Sequence, residues 1–172
     1  MIKILFLAAT LVSITTITRA AEFDSTIPMQ EKGAATFYVP TQVSGLQTTE
    51  FMVDTGSGYT TINEETLASL QLQDNAVYVK KLQGILANGE RIVVPVYLIR
   101  QLTIGGQCEL HDIEVAVFPG KTRQILGLST LRKTAPFIFS MDPPQLILSH
   151  CSDRKTVNIE NSAGQKNALS VY

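Results

Sequence analysis

The amino-acid sequence predicts a mainly β domain, small and either closed into a barrel or folded as a sandwich, with one or two short helices. Short runs rich in Val, Ile, Thr, Phe and Tyr recur at close spacing, and Gly, Pro and Asn-Gly turn signals separate them. Only two short stretches carry helical signals. The chain has 172 residues, which corresponds to one domain at about 150 residues per domain.

The composition argues against several classes of function. The 14 basic and 15 acidic residues leave a formal charge of −1, whereas nucleic-acid binders gain affinity mainly by neutralising phosphates. The two histidines and two cysteines are not clustered, so we expect no metal site. No glycine-rich phosphate loop supports a nucleotide. The sequence therefore predicts no cofactor and no nucleic-acid partner.

The first twenty residues predict a secretory signal peptide, residues 1–20. Lys3 gives a positive start, residues 4–17 are apolar or hydroxylic without charge, and small residues precede Ala21. The alternative is a membrane anchor, but a spanning helix needs about 20 apolar residues and this run is shorter. We therefore expect an exported protein, periplasmic or secreted, with no stable membrane span after cleavage. Residues 21–34 are polar and are expected to form an irregular N-terminal extension.

The domain itself is expected over residues 35–151. Residues 35–43 and 47–53 predict a hairpin around a Ser-Gly turn, and Asn63 is a suitable N-cap for a helix. The apolar side of that helix is expected to be formed by Leu67, Leu70 and Leu72. A second helical stretch is expected at 128–133. Further strands are expected at 76–82, 91–104, 108–117, 124–126, 137–141 and 145–148, and residues 152–172 are expected to form a polar tail.

Export changes the interpretation of the two cysteines. In an oxidising compartment, Cys108 and Cys151 could form a disulfide, and two buried free thiols are the alternative. The sequence favours the bridge only slightly, because it does not give the distance between the two Cα atoms.

The stretch that carries chemistry is an apolar strand, residues 51–53, that runs directly into Asp54-Thr55-Gly56-Ser57. A carboxylate at the end of a buried strand is costly unless it is hydrogen-bonded or shares a proton. Gly56 allows a close backbone approach, and the Ser57 hydroxyl is expected to donate to the carboxylate. A simple turn after a strand is the alternative interpretation.

These residues resemble the retropepsin-like aspartic proteases, especially the single-domain exported bacterial forms. Residues 51–56 resemble the catalytic loop of that family. Leu86-Ala87-Asn88-Gly89 resembles the tip of its flap, the hairpin that covers the substrate. Ile125-Leu126-Gly127 resembles the apolar-apolar-Gly element that precedes the C-terminal helix.

The resemblance implies a small closed β-barrel and an aspartic endopeptidase that is active as a homodimer. One Asp-Thr-Gly supplies half of a site, so a water would be activated by two Asp54 residues from two subunits. The family implies that Thr55 bonds across the twofold axis, that Gly56 offers its N–H to the carboxylate, and that a flap of Ala87, Asn88 and Gly89 closes over a peptide or protein substrate. No metal or organic cofactor is implied.

A binding protein is the other interpretation. In it, the chain is a non-catalytic exported module that keeps the retropepsin fold and binds peptides or a protein partner. A complete Asp-Thr-Gly-Ser favours the enzyme, because a binding module has no need of paired acids. Lys80 and Lys81 are expected to form a solvated face.

Overall fold

The computed structural model describes residues 23–86 and 88–151. Within these residues the chain forms strands β1 (Phe23–Pro28), β2 (Gln30–Lys32), β3 (Thr36–Val43), β4 (Thr49–Val53), β5 (Thr60–Asn63), β6 (Ala76–Ile85), β7 (Arg91–Ile104), β8 (Cys108–Phe118), β9 (Ile125–Leu126), β10 (Ile138–Met141) and β11 (Pro144–Ser149). The helices are α1 (Glu64–Gln71), α2 (Leu128–Leu131) and a 3₁₀-helix (Arg132–Thr134). The mainly β class is confirmed.

The three predicted hairpins are present. β3 pairs antiparallel with β4, β6 with β7, and β10 with β11. The turn between β3 and β4 places Ser44 and Gly45 at positive φ, and the turn between β6 and β7 does the same with Gly89. β6 runs beyond the predicted end at Leu82, to Ile85. β5, which was not predicted as a strand, is parallel to β8.

The strands form two sheets. The larger has the order β2-β3-β4-β9-β5-β8-β7-β6, and the smaller has the order β1-β11-β10. Three residue pairs join β3 to β7, from Thr41–Ile104 to Val43–Leu102, so the large sheet curls back towards its own start. The main core is packed inside this curvature, and Phe51, Ile62 and Ile113 are among its fully buried side chains.

The expectation of irregular structure before residue 35 was wrong for the described part of that segment. Phe23–Pro28 pairs antiparallel with Pro144–Ser149, and Gln30–Lys32 pairs antiparallel with β3. Ile27 of β1 is fully buried and belongs to the main core. The backbone hydrogen bonds of the extension are therefore satisfied by the end of the domain, and the segment is part of the fold.

A disulfide joins Cys108 at the start of β8 to Cys151, 43 residues later. Both cysteines are buried in the main core. The backbone N–H of Glu109 also donates to the carbonyl of Cys151, at 3.2 Å. The bridge fastens the C-terminal end of the small sheet to the large sheet.

Helix α1 begins as predicted. The Asn63 side chain accepts a hydrogen bond from the backbone N–H of Thr66, at 2.9 Å, which satisfies one of the free N–H groups of the first turn. Leu67 and Leu70 are buried, but Leu72 is 89% exposed and was wrongly placed on the apolar side. Leu72 follows the last helical residue, so it no longer belongs to the face that α1 packs on the core.

The predicted signal peptide 1–20 and the polar tail 152–172 lie outside the described residues, as does Ala87. Across residues 23–86 and 88–151, no helix has the length and apolar character to span a membrane.

Candidate active site

Asp54 follows β4 directly, at the point where this strand meets β9. The two strands are parallel and pair Met52 with Ile125 and Val53 with Leu126. The pairing continues past the strands, because the backbone N–H of Asp54 donates to the carbonyl of Leu126 at 3.1 Å. The backbone of Asp54 is therefore fixed by the apolar-apolar-Gly element, residues 125–127, that the sequence analysis singled out.

The carboxylate of Asp54 is oriented by Gly56. The backbone N–H of Gly56 donates to Oδ1 of Asp54 at 2.9 Å, as the resemblance implied. A Cβ at position 56 would lie 3.2 Å from the same oxygen. A residue with a side chain would therefore press on the carboxylate, which is a physical reason for glycine at this position.

The expected hydrogen bond from Ser57 to the carboxylate was wrong. The Ser57 hydroxyl donates instead to the backbone carbonyl of Tyr59, at 2.7 Å. The loop turns between these two residues and brings that carbonyl within reach of a short side chain. Ser57 thus stabilises the shape of the loop and leaves the carboxylate to the N–H of Gly56.

Gly127 allows the two loops to approach closely. A Cβ at this position would overlap the carbonyl oxygen of Tyr59 and lie 2.5 Å from its carbonyl carbon. The next residue, Leu128, donates its backbone N–H to the carbonyl of Ser57 at 2.9 Å. Only glycine leaves room for the loop of residues 54–59 to rest on the start of α2.

A buried set of hydroxyl groups joins the same two loops, and the sequence analysis missed it. Oγ1 of Thr60 accepts the N–H of Gly127 at 3.1 Å and lies 2.6 Å from Oγ1 of Thr130. The N–H of Thr60 donates to Oγ of Ser129 at 2.8 Å. Thr60 and Thr130 are fully buried. The available signal was the hydroxyl residues next to apolar ones in both segments, since a buried hydroxyl needs a partner.

The other side of the catalytic loop is open. Thr55 and Gly56 are exposed, and Asp54 is partly exposed. The hydrogen bonds that reach the loop from outside it come from residues 126–130. In a single chain the face that carries the Asp54 carboxylate is therefore accessible to solvent, to a ligand or to another chain.

The predicted flap is the end of the β6–β7 hairpin. Its tip is closed by hydrogen bonds from the N–H of Gly89 to the carbonyl of Leu86, at 2.8 Å, and from the N–H of Leu86 to the carbonyl of Glu90, at 2.8 Å. Oδ1 of Asn88 accepts the N–H of Glu90 at 3.0 Å. Gly89 has a φ of +82°, which suits glycine in a tight turn.

One charged contact links the arm of the flap to the catalytic loop. Nζ of Lys80, on β6, donates to the carboxylate of Glu114 at 2.8 Å and lies 5.8 Å from the centre of the Tyr59 ring. The hydrogen bond to Glu114, and next the contact with Tyr59, raise the pKa of Lys80 above its usual 10.5. The expectation of a solvated face therefore omitted a specific contact of Lys80.

A surface groove of about 350 Å³ lies elsewhere, between the β3–β4 turn, α1 and the residue before β9. Its lining includes Leu46, Thr66 and Gln124 and does not include Asp54. Among the described residues, no group of three or more His, Cys, Asp and Glu side chains is arranged to hold a metal ion. The candidate site is therefore the Asp54 loop and the flap above it.

Comparisons with known proteins agree with this geometry. The crystal structure of a retropepsin-like aspartic protease from Rickettsia conorii is similar to this chain with a TM-score of 0.51 and 21% sequence identity, over 76% of this chain and 95% of that chain. That likeness shows the retropepsin-like fold. No curated protein has a significant sequence match to the chain. The sequence model of the aspartyl protease family matches residues 39–130, more than half of the chain, and includes the Asp54 loop. On this match, the chain belongs to the aspartyl protease family.

Proposed function

We propose that this protein is an aspartic endopeptidase that hydrolyses peptide bonds with a water activated by two Asp54 carboxylates from two copies of the chain. The observation that carries the proposal is the geometry of the Asp54 loop. One carboxylate oxygen accepts the N–H of Gly56 at 2.9 Å, while the loop tip is open to solvent. A structural Asx turn makes the same contact, and the match of the aspartyl protease family model over residues 39–130, which include this loop, favours the catalytic role.

The chemistry requires a pair of carboxylates with one proton between them. Two like charges at close range cannot both ionise, so the pair shares the proton. The ionised group takes a proton from the water, and the protonated group polarises the peptide carbonyl. One chain supplies one Asp-Thr-Gly, so the second carboxylate comes from a symmetric partner.

The surrounding residues have roles that follow from this assembly. The exposed Thr55 faces the partner loop and fastens the two loops to each other. The flap tip at Asn88 and Gly89 closes over an extended peptide and excludes water from the dyad. The contact between β3 and β7 closes the large sheet into a barrel, which gives the loop a rigid base. The signal-like residues 1–20 direct the chain out of the cytoplasm, and their removal after Ala20 leaves the active protein.

The first experiment compares the wild type with Asp54→Asn, using a mixed peptide library as substrate. Asn keeps the shape of Asp54 and accepts the Gly56 N–H, but it supplies no proton-sharing carboxylate, so cleavage should be lost. Asp74→Asn is the matched control, because Asp74 is an exposed turn residue at positive φ, where Asn is equally suited. Full cleavage by folded Asp54→Asn protein would end the protease proposal. Peptide retention without cleavage by the wild type would favour the binding module.

The second experiment tests the shared site by subunit mixing. With one part wild type and nine parts Asp54→Asn, random pairing leaves about 1% of dimers with two intact chains, whereas independent monomers would keep about 10% of the activity. Activity should also fall on dilution and return on concentration. A strictly monomeric species with full turnover would exclude the dyad.

A further inference from the structure

The ring of Tyr59 lies where the catalytic loop meets the arm of the flap. Tyr59 packs against a small cluster of Val94, Val96 and Ala116, which is separate from the main core. Leu82, Ile92 and Phe118 also pack against it, so β6, β7, β8 and the loop that follows Asp54 all contribute to this cluster. The position of the Tyr59 ring therefore affects the surface between the loop and the flap.

Lys80 reaches the same place from the flap arm. Residues 80, 82 and 84 lie on one face of β6, because successive side chains of a strand alternate between faces. Lys80 is opposite Val96 and Leu82 is opposite Val94 in the register of the hairpin. The ammonium group lies 5.8 Å from the centre of the Tyr59 ring and 2.8 Å from the Glu114 carboxylate.

The backbone on both sides of this contact is already fixed. The carbonyl of Tyr59 accepts the Ser57 hydroxyl at 2.7 Å, and the carbonyl of Glu114 accepts the Ser129 hydroxyl at 3.0 Å. Oγ of Ser129 in turn accepts the N–H of Thr60. The Tyr59 ring is the part of this loop that faces the flap arm, and Lys80 is the charged group beside it.

We propose that Lys80 is a positioning residue for substrate: paired with Glu114, it holds the Tyr59 ring against the flap arm and so fixes the wall of the peptide cleft beside the catalytic loop. The proposal rests on the proposed function, because it assigns the cleft to a peptide. Lys80 does not contact the reacting atoms. A solvated ion pair alone would contribute little, but a cation that faces an aromatic ring also restricts where that ring lies.

The variant Lys80→Met tests the proposal, because it keeps an unbranched stem and removes the charge. Lys81→Met is the matched control, since Lys81 is the next residue, is also exposed, and lies on the opposite face of β6. Lys80→Arg keeps the charge and its contacts with the carboxylate and the ring, so it should rescue the wild-type behaviour. We expect KM for a cleaved library peptide to rise about two- to fivefold in Lys80→Met, with a smaller change in kcat.

Two further measurements separate this proposal from the proposed function. Nuclear Overhauser contacts between the Tyr59 ring and the cluster of Val94, Val96 and Ala116 need no catalysis, and they should weaken in Lys80→Met and persist in Lys81→Met. The double variant Asp54→Asn/Lys80→Met should retain the peptide library about two- to fivefold less well than Asp54→Asn alone. Unchanged ring contacts in Lys80→Met would overturn the positioning role even if the protein proves not to be a protease. Lost ring contacts with unchanged KM and retention would overturn the role in the cleft.

Discussion

Replacing Thr60 with valine should destabilise the domain by about 3 kcal/mol, because it removes a buried acceptor and leaves two polar groups without a partner. Valine has nearly the same shape as threonine, so the surrounding packing is kept. The groups affected are the N–H of Gly127, now 3.1 Å from Oγ1 of Thr60, and the hydroxyl of Thr130, now 2.6 Å away. Each orphaned group costs about 1–3 kcal/mol in a buried site.

Thermal unfolding measures this cost. For a domain of about 150 residues, 3 kcal/mol corresponds to a fall in Tm of about 6 to 12 °C. Thr48→Val is the control, since Thr48 is exposed and its replacement should leave Tm nearly unchanged. Under the proposed function, peptidase activity of Thr60→Val should fall as well, because Thr60 fastens the loop of Asp54 to α2.

A double-mutant cycle shows whether the hydroxyl pair causes the effect. Thr130→Val alone orphans the Thr60 hydroxyl in part, and the double variant removes both hydroxyls and leaves only the N–H of Gly127 unpaired. The double variant should therefore be more stable than the sum of the single changes implies, by about 1 kcal/mol or more. A Tm for Thr60→Val within about 1 °C of the wild type, or strictly additive changes in the cycle, would refute this reasoning.

Three other predictions concern the scaffold around the site. Gly127→Ala should destabilise the domain by about 3 kcal/mol or more, because the added Cβ meets backbone atoms of Tyr59. Gly33→Ala should not destabilise it, because the space around Gly33 is open. Urea unfolding of both variants tests this contrast. Reducing the disulfide should lower the free energy of unfolding by about 2–4 kcal/mol, and identical melting with and without reductant would contradict this. The contribution of Lys80 to stability should be fully present below its unfolded pKa of 10.5, and it should be lost as the pH rises through its higher folded pKa. The difference in urea midpoint between wild type and Lys80→Met should therefore shrink only in that alkaline range. A difference that grows there would show the sign to be wrong.

The features that the sequence predicted correctly depend on local chemistry. The Ser44-Gly45 and Asn88-Gly89 turns need positive φ, and these residue types adopt it at low cost. Gly56 lies two residues after Asp54, so its N–H reaches the carboxylate through the geometry of a single turn. Such features require no knowledge of distant parts of the chain.

The features that the sequence did not predict depend on distant partners. The strand at 23–28 is polar at Asp24 and Ser25 and has little intrinsic preference for a sheet. It is extended because residues 144–149 satisfy its hydrogen bonds from the far end of the chain. The pairing of Thr60 with Thr130 has the same character, since 70 residues separate the two hydroxyls.

Ser57 was assigned the wrong acceptor for a related reason. Both the Asp54 carboxylate and the Tyr59 carbonyl lie within a few residues of its hydroxyl, and the residue types alone favour the charged acceptor. The path of the loop after Ser57 decides which acceptor the hydroxyl reaches. Gly127 permits that path, because it leaves room for Tyr59 to approach α2. A contact between two loops far apart in sequence therefore decides a hydrogen bond between neighbours.

The Asp54 loop is fixed by contacts with another segment of its own chain, residues 126–130. The N–H of Asp54 bonds to Leu126, Gly127 leaves room for Tyr59, and the buried hydroxyls of Thr60 and Thr130 join the two segments. These contacts within one chain orient its own carboxylate. Under the proposed function, dimerisation supplies the second acid and the contacts of the exposed loop tip. Because the Asp54 loop is already ordered in one chain, association loses little conformational entropy in this loop. On that proposal, one chain carries a complete Asp54 loop and half of the active site.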